Sequence, residues 1–235
     1  MTSAGGWVLV PGWGTDGEAF AEVIALLPGT PARVVGWDEI LARGGAAVAE
    51  ACDALGPGPV RLAGWSLGAL LALDAALAAP GRHAGLALVA GTARFCADGE
   101  GHAGADPRAL RAMAGRLSRD RGAVVRAFGA ACAAPDGGGS ASAWWEAQAA
   151  RFPPEVLGRG LAALAELDLR GRAAELRVPV RMLHGERDAV VPVEAAIAAA
   201  ARFPDARLTV LPGRGHALPH TAPGAVAALL AGFGP

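Results

Sequence analysis

Short apolar runs alternate with helical patterns through the first ninety residues of the chain. Four mostly apolar runs predict buried strands, because a strand that is covered on both faces lacks the alternation of polar and apolar residues. These runs lie at 7–10, 33–36, 60–63 and 86–90. Between them, apolar residues recur at helical spacing in 20–27, 46–55 and 67–79. Strands that alternate with helices predict a mostly parallel, doubly wound α/β sheet.

The alternation stops between residues 94 and 167, where no apolar run is typical of a buried strand. Asp106 followed by Pro107 is a typical helix start. Apolar residues then line one face of this first helix, at positions 110, 113, 114 and 117. Further helices are predicted over 122–133 and from Pro153-Pro154 onward, with a flexible glycine-rich break at 137–140.

The strand pattern returns after this region. Strands are predicted over 178–184 and 207–211, and a last helix over 223–233. An all-helical insertion between two strands of a sheet is typical of a lid over a binding site. We therefore predict an α/β core formed by 1–93 and 168–235, and a lid formed by 94–167, the helical insertion.

A serine bracketed by glycines lies where the predicted strand 60–63 meets the predicted helix 67–79. The five residues Gly64-Trp65-Ser66-Leu67-Gly68 fit the G-x-S-x-G nucleophile elbow. That turn is sharp and lifts the serine hydroxyl clear of the sheet, while glycines permit close packing of strand and helix. Backbone N–H groups at the helix N-terminus favour an anion that develops beside the hydroxyl. Ser66 is therefore the candidate nucleophile.

A serine nucleophile needs a base, and the base needs a carboxylate that orients it. On a sheet of this kind the expected chain order is Ser, then Asp or Glu, then His. Asp188 follows the predicted strand 178–184, and His216 follows the predicted strand 207–211. The carboxyl ends of parallel strands meet at one edge of the sheet. We therefore expect Asp188 and His216 beside Ser66, in a catalytic triad.

Other titratable residues have simpler interpretations. Glu186 is an alternative acid, although the D-x-x-V-P turn favours Asp188. We expect His184 to end its strand as a packed residue, and His220 to lie on the surface or to line the entrance. Solvent-facing side chains are expected at His83 and His102, and inert packing at Cys96 and Cys132.

A tetrahedral intermediate needs an oxyanion hole. One donor is predicted to be the backbone N–H of Leu67, the residue after the nucleophile. The second is predicted to be the N–H of Trp13, in the loop Pro11-Gly12-Trp13-Gly14 that follows the first strand. We also predict that the aromatic side chains of Trp13, Trp65 and Phe128 bind the substrate.

The amino-acid composition indicates the class of protein, its partners and its cellular location. The chain has 235 residues, 53% of them hydrophobic, which is enough for a large globular core. Its formal net charge of −1 argues against nucleic acid as a partner. The three cysteines lack the spacing of a zinc site and are typical of reduced thiols in a cytosolic protein. No basic leader or long apolar run is present, so we expect a cytoplasmic protein without a membrane span. We also expect that the reaction needs no metal or organic cofactor.

The chain resembles the α/β-hydrolase superfamily over nearly its whole length, and within it the pimeloyl-[acyl-carrier protein] methyl ester esterases of biotin synthesis. The resemblance lies in Gly12-Trp13-Gly14, Gly64-Trp65-Ser66-Leu67-Gly68, Leu164-Ala165-Glu166-Leu167-Asp168-Leu169-Arg170, the segment from Gly185 to Pro192, and Gly215-His216-Ala217. It implies a serine carboxylesterase that hydrolyses the methyl ester of pimeloyl-acyl-carrier protein without a cofactor. Alternatives are a general short-chain carboxylesterase or thioesterase and, more remotely, a non-catalytic ligand receptor.

Two positions depart from the superfamily pattern. Pro11 stands where a histidine usually precedes the oxyanion glycine, and Gly36-Trp37-Asp38-Glu39 replaces the usual D-x-P-G-x-G turn. Both segments are expected to flank the entrance to the site. They leave the catalytic residues unchanged and bear on the identity of the substrate.

Arginines cluster at the start of the helical insertion. Six arginines and one acidic residue lie between positions 107 and 126. At helical spacing, Arg108, Arg111, Arg116 and Arg119 share one side of the first helix. An ordinary solvated face explains such a cluster, and so does a docking surface for an acidic partner such as acyl carrier protein. On the second interpretation, the docking residues are Arg108, Arg111, Arg119 and Arg126.

Overall fold

The computed structural model describes residues 6–56, 60–136 and 139–233. Six strands form one parallel sheet in the order β2-β1-β3-β4-β5-β6. These strands are β1 (Trp7–Val10), β2 (Ala32–Val34), β3 (Val60–Trp65), β4 (His83–Val89), β5 (Val180–Gly185) and β6 (Ala206–Leu211). The chain moves one way from β1 to β2 and the other way from β3 onward. Helices cover both faces of the sheet, so the predicted doubly wound α/β sheet is confirmed.

Besides two short 3₁₀ helices, ten α-helices occur in the described part of the chain. They are α1 (Ala21–Ala25), α2 (Trp37–Arg43), α3 (Gly45–Asp53), α4 (Leu67–Ala78), α5 (Pro107–Ala133), α6 (Gly139–Ala149), α7 (Pro154–Glu166), α8 (Val193–Ala200), α9 (Leu218–Thr221) and α10 (Pro223–Ala231). The helix α2 was not predicted, because it has only seven residues and buries only Trp37 and Ile40. The helix α6 was not predicted either.

The central strands form a dry core. Strands β1, β3 and β4 are covered on both faces, and all four residues of β1 are buried. The helix α4 is buried on nearly every side, since it packs on β1, β3 and β4 and is covered by α2, α3 and α7. A helix that is apolar all round is stable in such a position. The switch in strand order between β1 and β3 lies at the carboxyl edge of this core, where α/β sheets bind ligands.

The residues of the helical insertion form α5, α6 and α7, which lie between β4 and β5 in the chain. The backbone of α5 leaves the helical region at Asp120, with φ of −152° and ψ of 68°. The Asp120 carboxylate then accepts the N–H of Ala123 at 3.0 Å, as an N-cap does. Two helical segments therefore meet within α5, close to the predicted boundary. Of the predicted glycine break, residues 137 and 138 lie outside the described residues, and the prediction was wrong for residues 139 and 140, which begin α6.

None of the described helices is both long enough and apolar enough to cross a lipid bilayer. Within residues 6–56, 60–136 and 139–233, no group of three His, Cys, Asp or Glu side chains is placed to hold a metal ion.

Candidate active site

Ser66 occupies a strained turn between β3 and α4. Its φ of 57° and ψ of −120° fall in a region that L-residues rarely adopt. The flanking glycines make the turn possible. A Cβ at Gly64 would lie 2.1 Å from the carbonyl oxygen of Gly68, and a Cβ at Gly68 would lie 2.1 Å from the carbonyl oxygen of Val10. Strand and helix therefore approach more closely than any larger residue would allow.

The structure brings the three predicted side chains together. The Ser66 hydroxyl donates to Nε2 of His216 at 2.8 Å, and Nδ1–H of His216 donates to Oδ2 of Asp188 at 2.7 Å. All three residues are buried, with exposed fractions of 6% for Ser66, 0% for His216 and 8% for Asp188. Such a chain of hydrogen bonds lets the imidazole take a proton from the hydroxyl while the carboxylate stabilises the resulting positive charge.

The Asp188 carboxylate is fixed by its own loop. Its Oδ1 accepts the backbone N–H groups of Val190 and Val191, each at 2.8 Å. Burial raises the pKa of Asp188, but the His216 imidazole, together with His184 and the Val191 N–H, outweighs burial, and the pKa lies below its ordinary value. The carboxylate is therefore ionised at neutral pH. Glu186 is exposed and accepts the N–H of Gly213 at 2.8 Å, so Asp188 rather than Glu186 lies beside His216.

His184 is the other buried neighbour of the acid. It lies in β5, 1% exposed, and its Nε2 is 2.8 Å from the carbonyl oxygen of Val191 and 3.4 Å from Oδ2 of Asp188. Burial lowers the pKa of His184, although the Asp188 charge partly opposes this. A neutral imidazole with its proton on Nε2 satisfies the carbonyl and faces the carboxylate without adding charge. His184 is thus packed, as expected, and it also lies against Asp188.

The loop after β1 reaches the nucleophile. A Cβ at Gly12 would lie 3.4 Å from Cβ of Ser66, so this loop passes in direct contact with the turn. Both the N–H and the hydroxyl of Thr15 donate to the carbonyl oxygen of Gly12, at 3.1 and 2.9 Å, which fixes the loop. Leu67 is the first residue of α4, where backbone N–H groups have no helical partner. The oxyanion role of the Trp13 and Leu67 N–H groups stays a prediction.

Comparison with known proteins identifies the family. A profile described as the alpha/beta hydrolase family matches residues 7–229. The chain belongs to this family. Among curated proteins, it is 33% identical over 236 residues to the pimeloyl-[acyl-carrier protein] methyl ester esterase of Aromatoleum aromaticum, covering 89% of this chain and 90% of that one. It is 36% identical over 202 residues to the enzyme of the same name from Methylococcus capsulatus, covering 80% and 78%.

Solved structures agree on the fold. A hydrolase from Oleispira antarctica superimposes with a TM-score of 0.87 at 15% identity, covering 98% of this chain and 91% of the other. An esterase from Exiguobacterium antarcticum gives a TM-score of 0.85 at 20% identity, covering 98% and 92%. Because these sequence identities are low, the two structures support the fold of this alpha/beta hydrolase and nothing about its substrate.

Aromatic side chains surround the triad of this alpha/beta hydrolase. The Trp65 indole N–H donates to the backbone carbonyl of His216 at 3.0 Å, and its ring lies 5.1 Å from that of Trp145 on α6. The Trp13 indole donates to the carbonyl of Leu157 on α7 at 2.8 Å, and Phe128 packs edge-on against it at 4.9 Å. Trp13 and Trp65 are fully buried, so both also join the helical insertion to the core. That they and Phe128 bind substrate stays a prediction.

The remaining histidines of the hydrolase lie outside this hydrogen-bonded chain. The prediction of solvent-facing side chains was wrong for His83, which begins β4 and is 6% exposed, and for His102, which is half-buried with Nε2 3.0 Å from the carbonyl oxygen of Arg94. Both side chains are covered by residues from other parts of the chain, and the local sequence pattern gives no information about such contacts. His220 is half-buried and stacks on Trp144 of α6, with ring centroids 5.0 Å apart.

The cysteines are buried thiols. Cys52, Cys96 and Cys132 are free and buried, and burial raises the pKa of each. A thiol with a raised pKa holds little thiolate at neutral pH, which is the form that reacts.

The predicted docking arginines of the hydrolase divide into two kinds. Arg108, Arg111 and Arg119 are exposed on α5, and none of the ion pairs found among the described residues involves them. Arg126 is exposed as well, but it pairs with Glu146 of α6 at 3.2 Å. Arg126 is therefore committed to a contact within the helical insertion.

Two residues of the helical insertion reach the site without any signal in the sequence. Trp145 packs on Trp65, and its indole N–H is buried without a partner. Asp136 binds the backbone beside His216, across 79 residues of chain. An isolated Asp after a helix and a Trp-Trp pair are both common, so only the tertiary contacts reveal them.

Proposed function

We propose that this alpha/beta hydrolase is a serine carboxylesterase. The observation that carries the proposal is the buried chain from the Ser66 hydroxyl through His216 to Asp188, with hydrogen bonds of 2.8 and 2.7 Å, at a strained turn that presents the hydroxyl beside a helix N-terminus. A nucleophile, a base and an orienting acid in this arrangement perform acyl transfer.

In the first half of the reaction the ester is cleaved. Oγ of Ser66 attacks the ester carbonyl carbon while Nε2 of His216 takes the hydroxyl proton. The negative charge that forms on the carbonyl oxygen is held by the backbone N–H groups of Trp13 and Leu67. The intermediate then expels the alkoxide, which takes the proton from His216 and leaves as an alcohol. Asp188 stabilises the imidazolium throughout.

In the second half the acyl-enzyme is hydrolysed. His216 takes a proton from a water molecule, and the oxygen of that water attacks the acyl carbonyl. The same N–H groups hold the second oxyanion. When it collapses, Ser66 recovers its proton from His216, and the carboxylic acid leaves. The net reaction consumes one ester and one water and yields one acid and one alcohol.

The substrate we propose is the methyl ester of pimeloyl-acyl-carrier protein, which would yield methanol and the free distal carboxylate. The support is the likeness to several esterases of that name, at 33% and 36% identity over most of both chains in the two cases above. The exposed arginines Arg108, Arg111 and Arg119 on α5 fit an acidic carrier. We further propose that the helical insertion, 94–167, is a lid, and that the protein is cytoplasmic, where buried free thiols persist.

The direct test is turnover of three substrates by the purified protein: pimeloyl-acyl-carrier protein methyl ester, a p-nitrophenyl ester of a short acid, and an acyl thioester. We expect the highest kcat/KM on the first, with methanol and the free acid as products in equal amounts. Ser66→Ala should lose about 10⁴-fold or more in kcat on each ester. A preference for the short ester or the thioester would assign the protein to the general esterases or thioesterases instead.

Covalent labelling separates an enzyme from a ligand receptor on the same fold. A fluorophosphonate probe should modify Ser66 of the wild type and leave Ser66→Ala unmodified. An unreactive wild-type Ser66 would be at odds with an activated nucleophile. In cells, the wild-type gene should restore growth without biotin to a strain that lacks its own pimeloyl methyl ester esterase, and the Ser66→Ala gene should not.

A further inference from the structure

The carboxylate of Asp136 reaches from the helical insertion to the loop that carries His216. Asp136 follows α5, and its side chain is 8% exposed. Oδ2 accepts the backbone N–H of Gly215 at 2.8 Å and lies 3.4 Å from the Thr221 hydroxyl. Oδ1 accepts from the Arg214 guanidinium at 3.1 Å. One buried carboxylate thus contacts the residues on both sides of the His216 turn.

The chain beside His216 is packed directly against the insertion. A Cβ at Gly215 would lie 2.0 Å from the carbonyl oxygen of Ala134, so the two backbones touch where only glycine fits. The Arg214 guanidinium also donates to the carbonyl of Thr221 at 3.3 Å, which ties the two ends of the loop together. The loop is therefore shaped by contacts with the insertion as well as by its own turn.

His216 is held from two opposite parts of the molecule. On the core side, the Trp65 indole binds the His216 carbonyl at 3.0 Å. On the insertion side, Asp136 binds the preceding N–H, on Gly215. The two anchors hold the peptide group before Gly215 and the peptide group after His216, so they restrict where Cα of His216 lies and hence where its imidazole meets Ser66. The first anchor belongs to the nucleophile turn, and the second is available only when the insertion is seated.

We propose that Asp136 is a positioning residue for the hydrolytic reaction. Its hydrogen bond to Gly215 keeps the His216 imidazole aligned between Ser66 and Asp188, and it makes that alignment depend on the seating of the helical insertion. The proposal rests on the proposed esterase function. Asp136 touches neither substrate nor the reacting atoms, so its effect appears in the rate of proton transfer by His216 rather than in acyl binding.

Four variants separate the Gly215 bond from the ion pair. Asp136→Ala removes both. Asp136→Asn keeps an oxygen for the Gly215 N–H and loses the charge that faces Arg214. Asp136→Glu keeps the charge but moves the carboxylate by one methylene. Arg214→Gln removes the ion pair and leaves Asp136 bonded to Gly215.

The matched control is Asp120→Ala. Asp120 is an exposed carboxylate of the same insertion that also accepts a backbone N–H, from Ala123 at 3.0 Å, but it does not touch the His216 loop. Asp120→Ala therefore removes a carboxylate from the insertion but leaves the hydrogen bond between Asp136 and Gly215 intact.

On a small soluble ester, Asp136→Ala should lower kcat about 10- to 100-fold while KM changes less than about twofold, because a displacement of about 1 Å costs this much. Asp136→Glu should lower kcat about tenfold for the same reason and covers the case in which Asp136→Ala does not fold. Asp136→Asn, Arg214→Gln and Asp120→Ala should stay within about threefold of wild type, because the Gly215 bond is intact in each.

Two further readouts exclude a merely structural role. The rate at which a fluorophosphonate labels Ser66 should fall by the same factor as kcat, and the downfield NMR resonance of the His216 Nδ1 proton should shift or broaden in Asp136→Ala but not in Asp120→Ala. Wild-type kcat in both Asp136→Ala and Asp136→Glu, or a loss in Asp136→Asn as large as in Asp136→Ala, overturns the proposal. Full turnover by Ser66→Ala would instead overturn the proposed function.

Discussion

At the scale of single residues, Ser66, the proposed nucleophile, holds an unfavourable backbone conformation. Ser66 has φ of 57° and ψ of −120°, which glycine adopts freely and a residue with a Cβ does not. Such a residue costs roughly 1 to 3 kcal/mol, and the packing of β3 against α4 must supply that free energy. The hydroxyl is presented at the carboxyl edge because of this turn, so stability and activity oppose each other at this position.

Replacement of Ser66 by glycine or by alanine should therefore differ in stability. Both variants lose the hydroxyl and should be inactive, but only Ser66→Gly also loses the Cβ. We expect Ser66→Gly to be more stable than Ser66→Ala by about 1 kcal/mol in free energy of unfolding, since strain relief exceeds the added chain entropy of glycine. Urea denaturation of both proteins measures the difference. Equal free energies of unfolding would mean that the strain in the turn does not exceed the entropic cost of glycine, contrary to this prediction.

The glycines of the turn should be intolerant of a methyl group. Gly68→Ala places a Cβ 2.1 Å from the carbonyl oxygen of Val10, so strand and helix must move apart. We expect a loss of at least about 2 kcal/mol in free energy of unfolding, together with most of the activity. Gly115→Ala is the matched control, because Gly115 is an exposed position of α5 with open space around it. It should gain about 0.5 to 1 kcal/mol from helix propensity.

At the scale of elements, the two ends of the helical insertion are fastened to each other. Arg94, which follows β4, pairs with Asp168 at 2.5 Å, and the two residues also form a β-bridge. Arg170 pairs with Asp168 at 2.7 Å and with Asp98 at 2.6 Å. The hydrogen bond from Arg170 holds the pKa of the Asp168 carboxyl well below its ordinary value, with Arg94 adding to the effect. The insertion therefore leaves and rejoins the core at a single charged junction.

The contribution of this junction should depend on pH. Because the pKa of Asp168 is lower in the folded protein than the unfolded value of about 3.9, ionised Asp168 stabilises the fold above about pH 4, and the effect is lost as the pH falls through the folded pKa. At pH 7, Asp168→Asn should cost about 1 kcal/mol, discounted for its partial exposure.

Urea denaturation between pH 7 and pH 2.5 should show this cost shrinking as the pH falls. The pair of Arg181 and Asp205 provides the control because the Asp205 carboxylate is more exposed than that of Asp168, and Asp205→Asn should cost less than about 0.5 kcal/mol at pH 7. A cost for Asp168→Asn that is the same at both ends of the pH range would contradict the assignment.

The bounds of a strand or helix could be predicted from the local hydrophobic pattern wherever that element is completely buried. Strand β1 has the predicted bounds, and β3 and β4 differ from prediction by two or three residues at an end, because two-sided burial leaves continuous apolar runs. The helix α2 gives little signal because it is short and buries only two side chains. His83 was placed in solvent because the run that predicts β4 begins three residues later. A local sequence pattern indicates which residues an element buries along its own length. It does not indicate which other segments cover the ends of that element.

At the scale of the whole molecule, chain order and sheet geometry account for how far the site could be predicted. Ser66, Asp188 and His216 each follow a parallel strand, so the fold brings them to one edge once the sheet is known. Asp136, which follows α5, and Trp145, on α6, lie in parts of the insertion whose placement depends on contacts distant in the chain. Nothing in the local sequence fixes how an insertion sits on a core, so these contacts could not be predicted.

The distribution of charge yields a last prediction, on the carrier-linked substrate. The chain carries a net charge of −1, yet residues 107–126 hold six arginines against one aspartate. If an acidic carrier docks on α5, salt should screen the attraction, since the Debye length is about 10 Å at 0.1 M. Raising the salt from about 50 to 300 mM should lower kcat/KM for the carrier-linked ester about tenfold, mainly through the association rate, and leave a small ester within about twofold.

Charge reversal should locate the effect. Arg111→Glu with Arg119→Glu should reduce kcat/KM for the carrier-linked ester and weaken its salt dependence, with the small ester unaffected. The matched control is Arg202→Glu with Arg207→Glu, two exposed arginines near the amino end of β6, on the edge of the sheet away from Ser66. It changes the net charge equally, so an equal loss in both double variants would indicate a general charge effect and no docking surface. A loss confined to the α5 variant would make this helix the place where the carrier meets the hydrolase.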